Sequence, residues 1–113
     1  MDIWGTSCAA CLSNLPFTKK LAKDLEGSAV DLIYVCVGSD RERWLAVSER
    51  FGVPSNGSYR LTGEQSRELS RLFRYNGIPR YVIFDREGEI VDHHAKQPSS
   101  SALKDELLEI AGG

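Results

Sequence analysis

Two cysteines separated by two residues, Cys8 and Cys11, are the side chains of this sequence best suited to chemistry. The segment WGTSCAAC at positions 4–11 predicts the end of a strand, a short loop and the first turn of a helix. Cysteines with this spacing on a first helical turn can close a small disulfide ring without unfolding the helix. Unpaired backbone N–H groups and the positive end of the helix dipole favour a thiolate at Cys8. Because a thiolate is the form that attacks disulfides, this position predicts thiol–disulfide exchange.

The composition places this pair in one ordinary globular domain, residues 1–113, with 42% hydrophobic and 27% charged residues. The net charge is −2 and there is no basic stripe, so we expect no nucleic-acid partner. No apolar run reaches the roughly 20 residues of a membrane span, so we expect no membrane contact by this domain. The strand before the loop has only four residues, fewer than the usual length of about 5–6. We therefore expect a fragment of a longer chain, with any targeting signal lying upstream.

The elements that must position the two cysteines alternate between strands and helices. Apolar spacing predicts a helix that begins at the cysteines, is kinked at Pro16 and ends at Gly27. The run VDLIYVCV at 30–37 predicts a central strand covered on both faces. Further helices are predicted over 40–51, 62–75 and 102–110, strands over 58–61, 81–84 and 89–92, and a hairpin turn over 85–88. This order predicts an α/β fold with a central mixed sheet and helices on both faces.

Several residues outside the cysteine pair carry a family resemblance. Trp4 lies four residues before Cys8, Pro16 lies five residues after Cys11, and Gly77-Ile78-Pro79 precedes a strand–turn–strand pattern. With these features the sequence resembles the thioredoxin-fold thiol–disulfide oxidoreductases, and more narrowly the TlpA/ResA-like family. The extra length over 40–61 favours that branch. The resemblance implies a thioredoxin-like fold with a truncated N-terminal strand, and action outside the cytoplasm, in the periplasm or tethered to a membrane.

The resemblance also implies the roles of the site residues. Cys8 would attack a substrate disulfide and Cys11 would resolve the mixed disulfide, without a cofactor. The Ile78–Pro79 bond would be cis, with Pro79 beside Cys8 and the Ile78 backbone free to pair with an extended substrate. From the residues alone, the ordinary interpretation is that Pro79 simply begins a strand, where proline is tolerated. Trp4 is interpreted as a packing residue, and the resemblance implies that it also lies under the site and belongs to its substrate-binding set.

Asp2 lies six residues before Cys8, where thioredoxins carry a buried acid. The resemblance implies a carboxyl group with a raised pKa that accepts the proton of Cys11. The alternative is a solvated aspartate at a frayed terminus. The expected partners are a protein substrate that contains a disulfide and an upstream protein that donates thiols.

Three residues depart from the family pattern. Ser7 replaces a common tryptophan, Ala9-Ala10 replaces an interior that often contains proline, and Asn14 replaces a frequent glutamate. Alanine adds neither charge nor a hydrogen-bond donor, so we expect a reducing couple, near the lower end of the range of about −270 to −120 mV. The same departures leave open a non-catalytic interaction module whose disulfide is structural.

The remaining candidates have simpler interpretations. Cys36 lies within an apolar strand and is interpreted as a small buried hydrophobic residue. His93 and His94 could join Cys8 and Cys11 in a zinc site of two cysteines and two histidines. Adjacent residues of a strand point to opposite faces, so both histidines could not easily reach one ion, and we expect no metal.

Overall fold

The computed structural model describes residues 1–112, in which strands and helices alternate along the chain. The elements are β1 (Asp2–Trp4), α1 (Ala9–Asp24), β2 (Tyr34–Cys36), α2 (Arg41–Phe51), β3 (Ser58–Arg60), α3 (Gly63–Leu72), β4 (Arg80–Tyr81), β5 (Ile83–Phe84), β6 (Ile90–Asp92) and α4 (Ser101–Gly112).

Strand β1 is an inner strand of a four-stranded sheet with the order β3-β2-β1-β4. Strands β1, β2 and β3 run parallel, whereas β4 is antiparallel to β1. In this register Asp2 lies opposite both Tyr34 and Tyr81. Strands β5 and β6 form a separate antiparallel pair. The predicted α/β class with a mixed sheet is confirmed.

Side chains of β1 alternate between two hydrophobic layers, as expected for a strand. Ile3 packs on the side of α3, in a cluster with Phe73 and Val82. Trp4 packs on the opposite side, under α1. A third cluster joins α1, β4, β5 and α4: Leu21, Leu25, Tyr81, Ile83, Ala95 and Leu103. Helices therefore cover both faces of the sheet, and α1 with α4 covers the face toward which Asp2 and Trp4 point.

Local capping residues explain where two helices begin. The Asp40 side chain accepts the N–H of Arg43 at 2.8 Å and caps α2. At α3, Thr62 and Gln65 form the predicted capping box. Each cap satisfies backbone donors that the helix itself leaves unpaired, which stabilises a helix by about 1 kcal/mol.

Two predicted boundaries were wrong. Residues 30–37 were predicted as one strand, but β2 covers only Tyr34–Cys36. Its neighbour β1 begins at Asp2, opposite Tyr34, so residues before Tyr34 have no strand of that sheet beside them. Helix α3 was predicted to run to 75 and close at Asn76-Gly77, but it ends at Leu72. Arg74 takes the left-handed conformation (φ 55°) that normally selects glycine at a helix end.

The predicted strand 81–84 is divided between two sheets. Tyr81 pairs with β1 in β4, whereas Ile83 and Phe84 pair with β6. Val82 lies between the two pairs, and its N–H donates to the Met1 carbonyl at 3.0 Å. The chain thus changes partner within a few residues, which the apolar pattern alone does not show.

Candidate active site

Cys8 and Cys11 form a disulfide at the N-terminus of α1, just beyond the end of β1. Their Cα atoms are 5.2 Å apart, within the usual range for bridged cysteines. The predicted placement of both residues at the start of a helix is therefore correct.

Cys8 is the N-cap residue of α1, a position where serine, threonine, aspartate and asparagine are usual. Its Sγ atom accepts the backbone N–H of Cys11 at 3.1 Å, in place of a side-chain oxygen. The first turn of α1 contains no acidic side chain that would compensate the helix dipole. In the reduced protein these N–H groups and this dipole stabilise negative charge on the Cys8 sulfur.

The two sulfurs differ in their access to solvent. Cys8 is partly exposed, whereas Cys11 is only 2% exposed and packs among Trp4, Leu15 and other core residues. The residues Ser7 and Ala9 beside Cys8 are exposed and small. A bulky disulfide substrate can therefore reach Cys8 directly, whereas Cys11 lies behind it.

The loop before β4 lies against the disulfide. The Cys8 Sγ atom is 3.7 Å from the carbonyl oxygen of Ile78, and the Ile78–Pro79 peptide bond is cis. A Cβ atom on Gly5 would lie 2.9 Å from the Cδ1 atom of Ile78, so glycine allows the loop to approach. The structure thus brings together the CxxC and the Ile-Pro segment, which are 70 residues apart.

Trp4 lies beneath the site, where its side chain is 0% exposed. It belongs to the same cluster as Cys11 and Leu15. No surface of Trp4 is available to a substrate, which corrects its assignment to the substrate-binding set. Its contribution to the site is packing, because it supports the first turns of α1.

Asp2 is 3% exposed and faces α1. This burial excludes the solvated aspartate at a frayed terminus. Burial raises the pKa of Asp2 to about 6, while a hydrogen bond from Thr18 and the charge of the N-terminal amino group act in the opposite direction. Asp2 is therefore a buried acid that titrates near neutral pH.

Thr18 was not among the predicted site residues. Its side chain is 1% exposed, and its Oγ1 atom lies 3.2 Å from the Oδ2 atom of Asp2. The helical spacing of the sequence could have identified it, because Thr18 is the one polar side chain in the buried stripe of α1, which consists of Cys11, Leu15, Thr18 and Leu21. A threonine in such a stripe needs a hydrogen-bond partner.

Asn14 also takes part in side-chain contacts near the site. Its Nδ2 atom donates to the hydroxyl of Tyr81 at 3.1 Å and to Gln97 at 3.4 Å. Burial raises the pKa of Tyr81, so this tyrosine stays protonated at neutral pH. Asn14 thus ties α1 to β4 and to the segment before α4.

The other candidates add no accessible group to the site. Cys36 packs in the same buried cluster as Trp4 and Cys11, where it is 0% exposed, and burial raises the pKa of its thiol. His93 and His94 are exposed. Within residues 1–112, no group of three or more histidine, cysteine, aspartate or glutamate side chains is arranged to hold a metal ion. None of the helices described is both long and apolar enough to cross a membrane.

Comparisons with known proteins agree with this geometry. A family model described as thioredoxin-like matches residues 1–90. The chain is similar to thiol-disulfide oxidoreductase ResA of Geobacillus kaustophilus (strain HTA426), with 21% identity over 90 residues, 80% of this chain and 49% of that protein. This chain thus spans about half the length of that curated relative.

Solved structures show the same similarity. A Bacteroides vulgatus protein described as a thiol-disulfide oxidoreductase superimposes with a TM-score of 0.75 at 26% identity, covering 98% of this chain and 71% of that one. The thioredoxin domain of a thiol-disulfide oxidoreductase from the same organism gives a TM-score of 0.83 at 17% identity, covering 97% and 76%. At that lower identity the second similarity concerns the fold alone.

Proposed function

This chain belongs to the thioredoxin-like family, and we propose that it is a disulfide reductase whose Cys8–Cys11 dithiol exchanges with disulfides of protein substrates. The observation that carries the proposal is the unequal exposure of the two sulfurs. Cys8 is accessible and caps a helix, whereas Cys11 is 2% exposed directly behind it. This arrangement supports an attacking role for Cys8 and a resolving role for Cys11.

The reaction proceeds in two exchanges. The Cys8 thiolate attacks one sulfur of the substrate disulfide, the substrate S–S bond breaks, and the other substrate sulfur leaves as a thiolate. Cys11, as its thiolate, then attacks the Cys8 sulfur and releases the second substrate thiol. Two electrons pass to the substrate, and the Cys8–Cys11 disulfide forms. An upstream dithiol protein must reduce this disulfide before the next cycle.

The Ile78–Pro79 loop is the proposed substrate-binding segment. The Ile78 carbonyl oxygen lies 3.7 Å from the Cys8 sulfur, so a peptide attached to Cys8 would lie along this backbone. An extended peptide can pair with such exposed backbone groups whatever its side chains are. The loop therefore orients the mixed disulfide without demanding one particular sequence.

Asp2 is the proposed acceptor of the Cys11 proton. The hydroxyl that contacts Asp2 belongs to Thr18, seven residues after Cys11 and about 10 Å farther along the helix axis. We therefore propose that the proton travels through water rather than by direct contact. A cavity of about 460 Å³, lined by Asp2, Thr18 and Tyr81 among others, offers room for water at the Asp2 end of this path; its lining does not include Cys11.

We propose further that this protein works outside the cytoplasm, as the TlpA/ResA-like family that it resembles does. Cell fractionation with an antibody against the native protein tests this part independently of the chemistry. Recovery in the cytoplasmic fraction would contradict the location and leave the exchange reaction untouched.

Trapping experiments with cysteine variants test the assignment of the two sulfurs. Cys11→Ser should accumulate a mixed disulfide with a model protein disulfide such as insulin, because the resolving thiol is missing. Cys8→Ser should form none and should lose dithiothreitol-driven reduction. Cys36→Ala is the matched control and should turn over normally, because Cys36 is buried away from the surface. Full activity of Cys8→Ser would show that the nucleophile is assigned wrongly.

The redox potential separates this proposal from a non-catalytic interaction module. Equilibration with glutathione and dithiothreitol buffers should show a reversible two-electron couple between about −280 and −180 mV. A disulfide that stays oxidised well below about −300 mV would instead indicate a structural bridge.

A further inference from the structure

We infer that Thr18 is a positioning residue for the proton acceptor, because its hydroxyl can satisfy the Asp2 carboxyl group in both protonation states. The inference rests on the role proposed above for Asp2. It extends that role to a residue on α1 that touches neither sulfur.

The Thr18 hydroxyl is buried, so it can hydrogen-bond only to groups packed directly against it. The side chain is 1% exposed on the buried face of α1. Its Oγ1 atom lies 3.2 Å from the Oδ2 atom of Asp2 and 3.3 Å from the backbone carbonyl oxygen of Asn14. A hydroxyl has one proton to donate, so it cannot donate to both oxygens at once.

The two possible donations correspond to the two states of Asp2. When Asp2 is ionised, the Thr18 hydroxyl donates to Oδ2. When Asp2 is protonated, its own O–H donates to Oγ1, and the Thr18 proton turns to the Asn14 carbonyl. A hydroxyl both donates and accepts, so the change needs only a rotation of its proton, with no movement of heavy atoms. Asp2 is therefore hydrogen-bonded before and after it takes up a proton.

Other titratable groups face Asp2 but do not duplicate this function. Tyr34 on β2 and Tyr81 on β4 lie opposite it in the sheet. Burial raises the pKa of both tyrosines, that of Tyr34 to about 12, so neither loses its proton near neutral pH. The Tyr81 hydroxyl accepts from Asn14.

Two further sets of charges complete the surroundings of Asp2. The N-terminal amino group donates to the Val82 carbonyl at 2.8 Å, and burial lowers its pKa to about 6. On the cavity side, Asp31, Asp85 and Arg86 lie in the lining. A substitution at Thr18 removes none of these groups.

Thr18→Val tests the inference because valine matches the shape of threonine and lacks the hydroxyl. Without the donor, the ionised form of Asp2 is less stable, so its pKa rises. The rate at which Cys11 releases substrate from a preformed mixed disulfide, in which Cys8 has no thiol to titrate, should fall on acidification as Asp2, whose pKa is raised to about 6, is protonated. In Thr18→Val this fall should occur at a pH about one unit higher. Well above that pH, the variant and the unmodified protein should have equal rates. A purely structural defect would instead lower the rate at every pH.

Thr18→Ser is the matched control, because it keeps the hydroxyl and should keep the original pH profile. The carboxyl ¹³C shift of Asp2 in the oxidised proteins gives an independent titration. If valine does not fold, Thr18→Ala removes the same hydroxyl without adding volume.

The outcomes distinguish this inference from the proposed function. An unchanged Asp2 titration in a folded variant without the hydroxyl, together with loss of the acidic limb in Asp2→Asn, would overturn the role of Thr18 and leave that of Asp2 intact. An acidic limb of this second exchange that persists in Asp2→Asn would overturn the role of Asp2 and this inference with it. The roles of Cys8 and Cys11 are judged separately by the trapping experiment.

Discussion

Replacing Asp2 by asparagine should stabilise the fold at neutral pH, although it removes the proposed proton acceptor. The amide has nearly the shape of the carboxyl group but carries no charge. Burial raises the pKa of Asp2 from the ordinary 3.8 to about 6. Because one pKa unit corresponds to about 1.4 kcal/mol, the ionised carboxylate costs about 3 kcal/mol of folding stability.

The sign of the pH dependence follows from this shift. The folded protein keeps the Asp2 proton up to about pH 6, whereas the unfolded chain releases it near pH 4. The stabilising contribution of Asp2 is therefore fully present below about pH 4 and is lost as the pH rises through about 6. Asparagine does not titrate. The stability of Asp2→Asn minus that of the unmodified protein should be near zero at about pH 4 and reach about 3 kcal/mol at about pH 7.

Urea unfolding of the two oxidised proteins between about pH 4 and pH 8 measures this difference, with equal slopes as the check on two-state behaviour. The N-terminal amino group titrates in both proteins, and because the Asp2 charge raises its pKa, that pKa is lower in Asp2→Asn. Asp24→Asn, at an exposed position of α1, is the matched control and should change stability by less than about 0.5 kcal/mol at every pH. A difference for Asp2→Asn that is flat with pH, or negative above pH 6, would refute the reasoning.

Two further predictions concern the surroundings of the site. Gly5→Ala places a Cβ atom 2.9 Å from Ile78 Cδ1 and 3.2 Å from the Val37 carbonyl oxygen. This overpacking should lower the free energy of unfolding, measured in urea, by about 1–3 kcal/mol, and it should also lower kcat/KM. A Cβ atom at Gly77 would have no atom within 4 Å, so Gly77→Ala should keep the original stability and kcat/KM. Equal effects of the two substitutions would contradict this account. Cys36 is 0% exposed, so iodoacetamide should label it only after denaturation; rapid labelling in the native reduced protein would show that the strand opens.

Local rules predicted much of this fold. The caps at Asp40 and Thr62 were visible in the sequence, because a capping side chain bonds to backbone only a few residues away. The hairpin turn ending at Gly88 was also visible in the sequence, because its hydrogen bond is local: the Gly88 N–H donates to the Asp85 carbonyl at 3.1 Å. Such features depend on short stretches of chain.

The errors occurred where distant partners decide the outcome. The apolar run 30–37 forms a strand only over Tyr34–Cys36, because pairing with β1 begins at Tyr34. The end of α3 depends on Arg74 in a left-handed conformation that glycine would normally supply. The substrate role assigned to Trp4 fails on its complete burial, which only the packing of α1 over β1 reveals.

The sequence by itself determined that two cysteines share the first turn of a helix and that Cys8 lies at its N-terminus, because spacing and capping are local properties of the chain. Only the tertiary structure decided which sulfur is accessible, that Ile78 lies beside Cys8, and that Asp2 is buried against Thr18. These contacts join residues 16 and 70 positions apart. Their physical origin is the burial of α1 against the sheet, which sets the dielectric environment and the hydrogen-bond partner of Asp2 together.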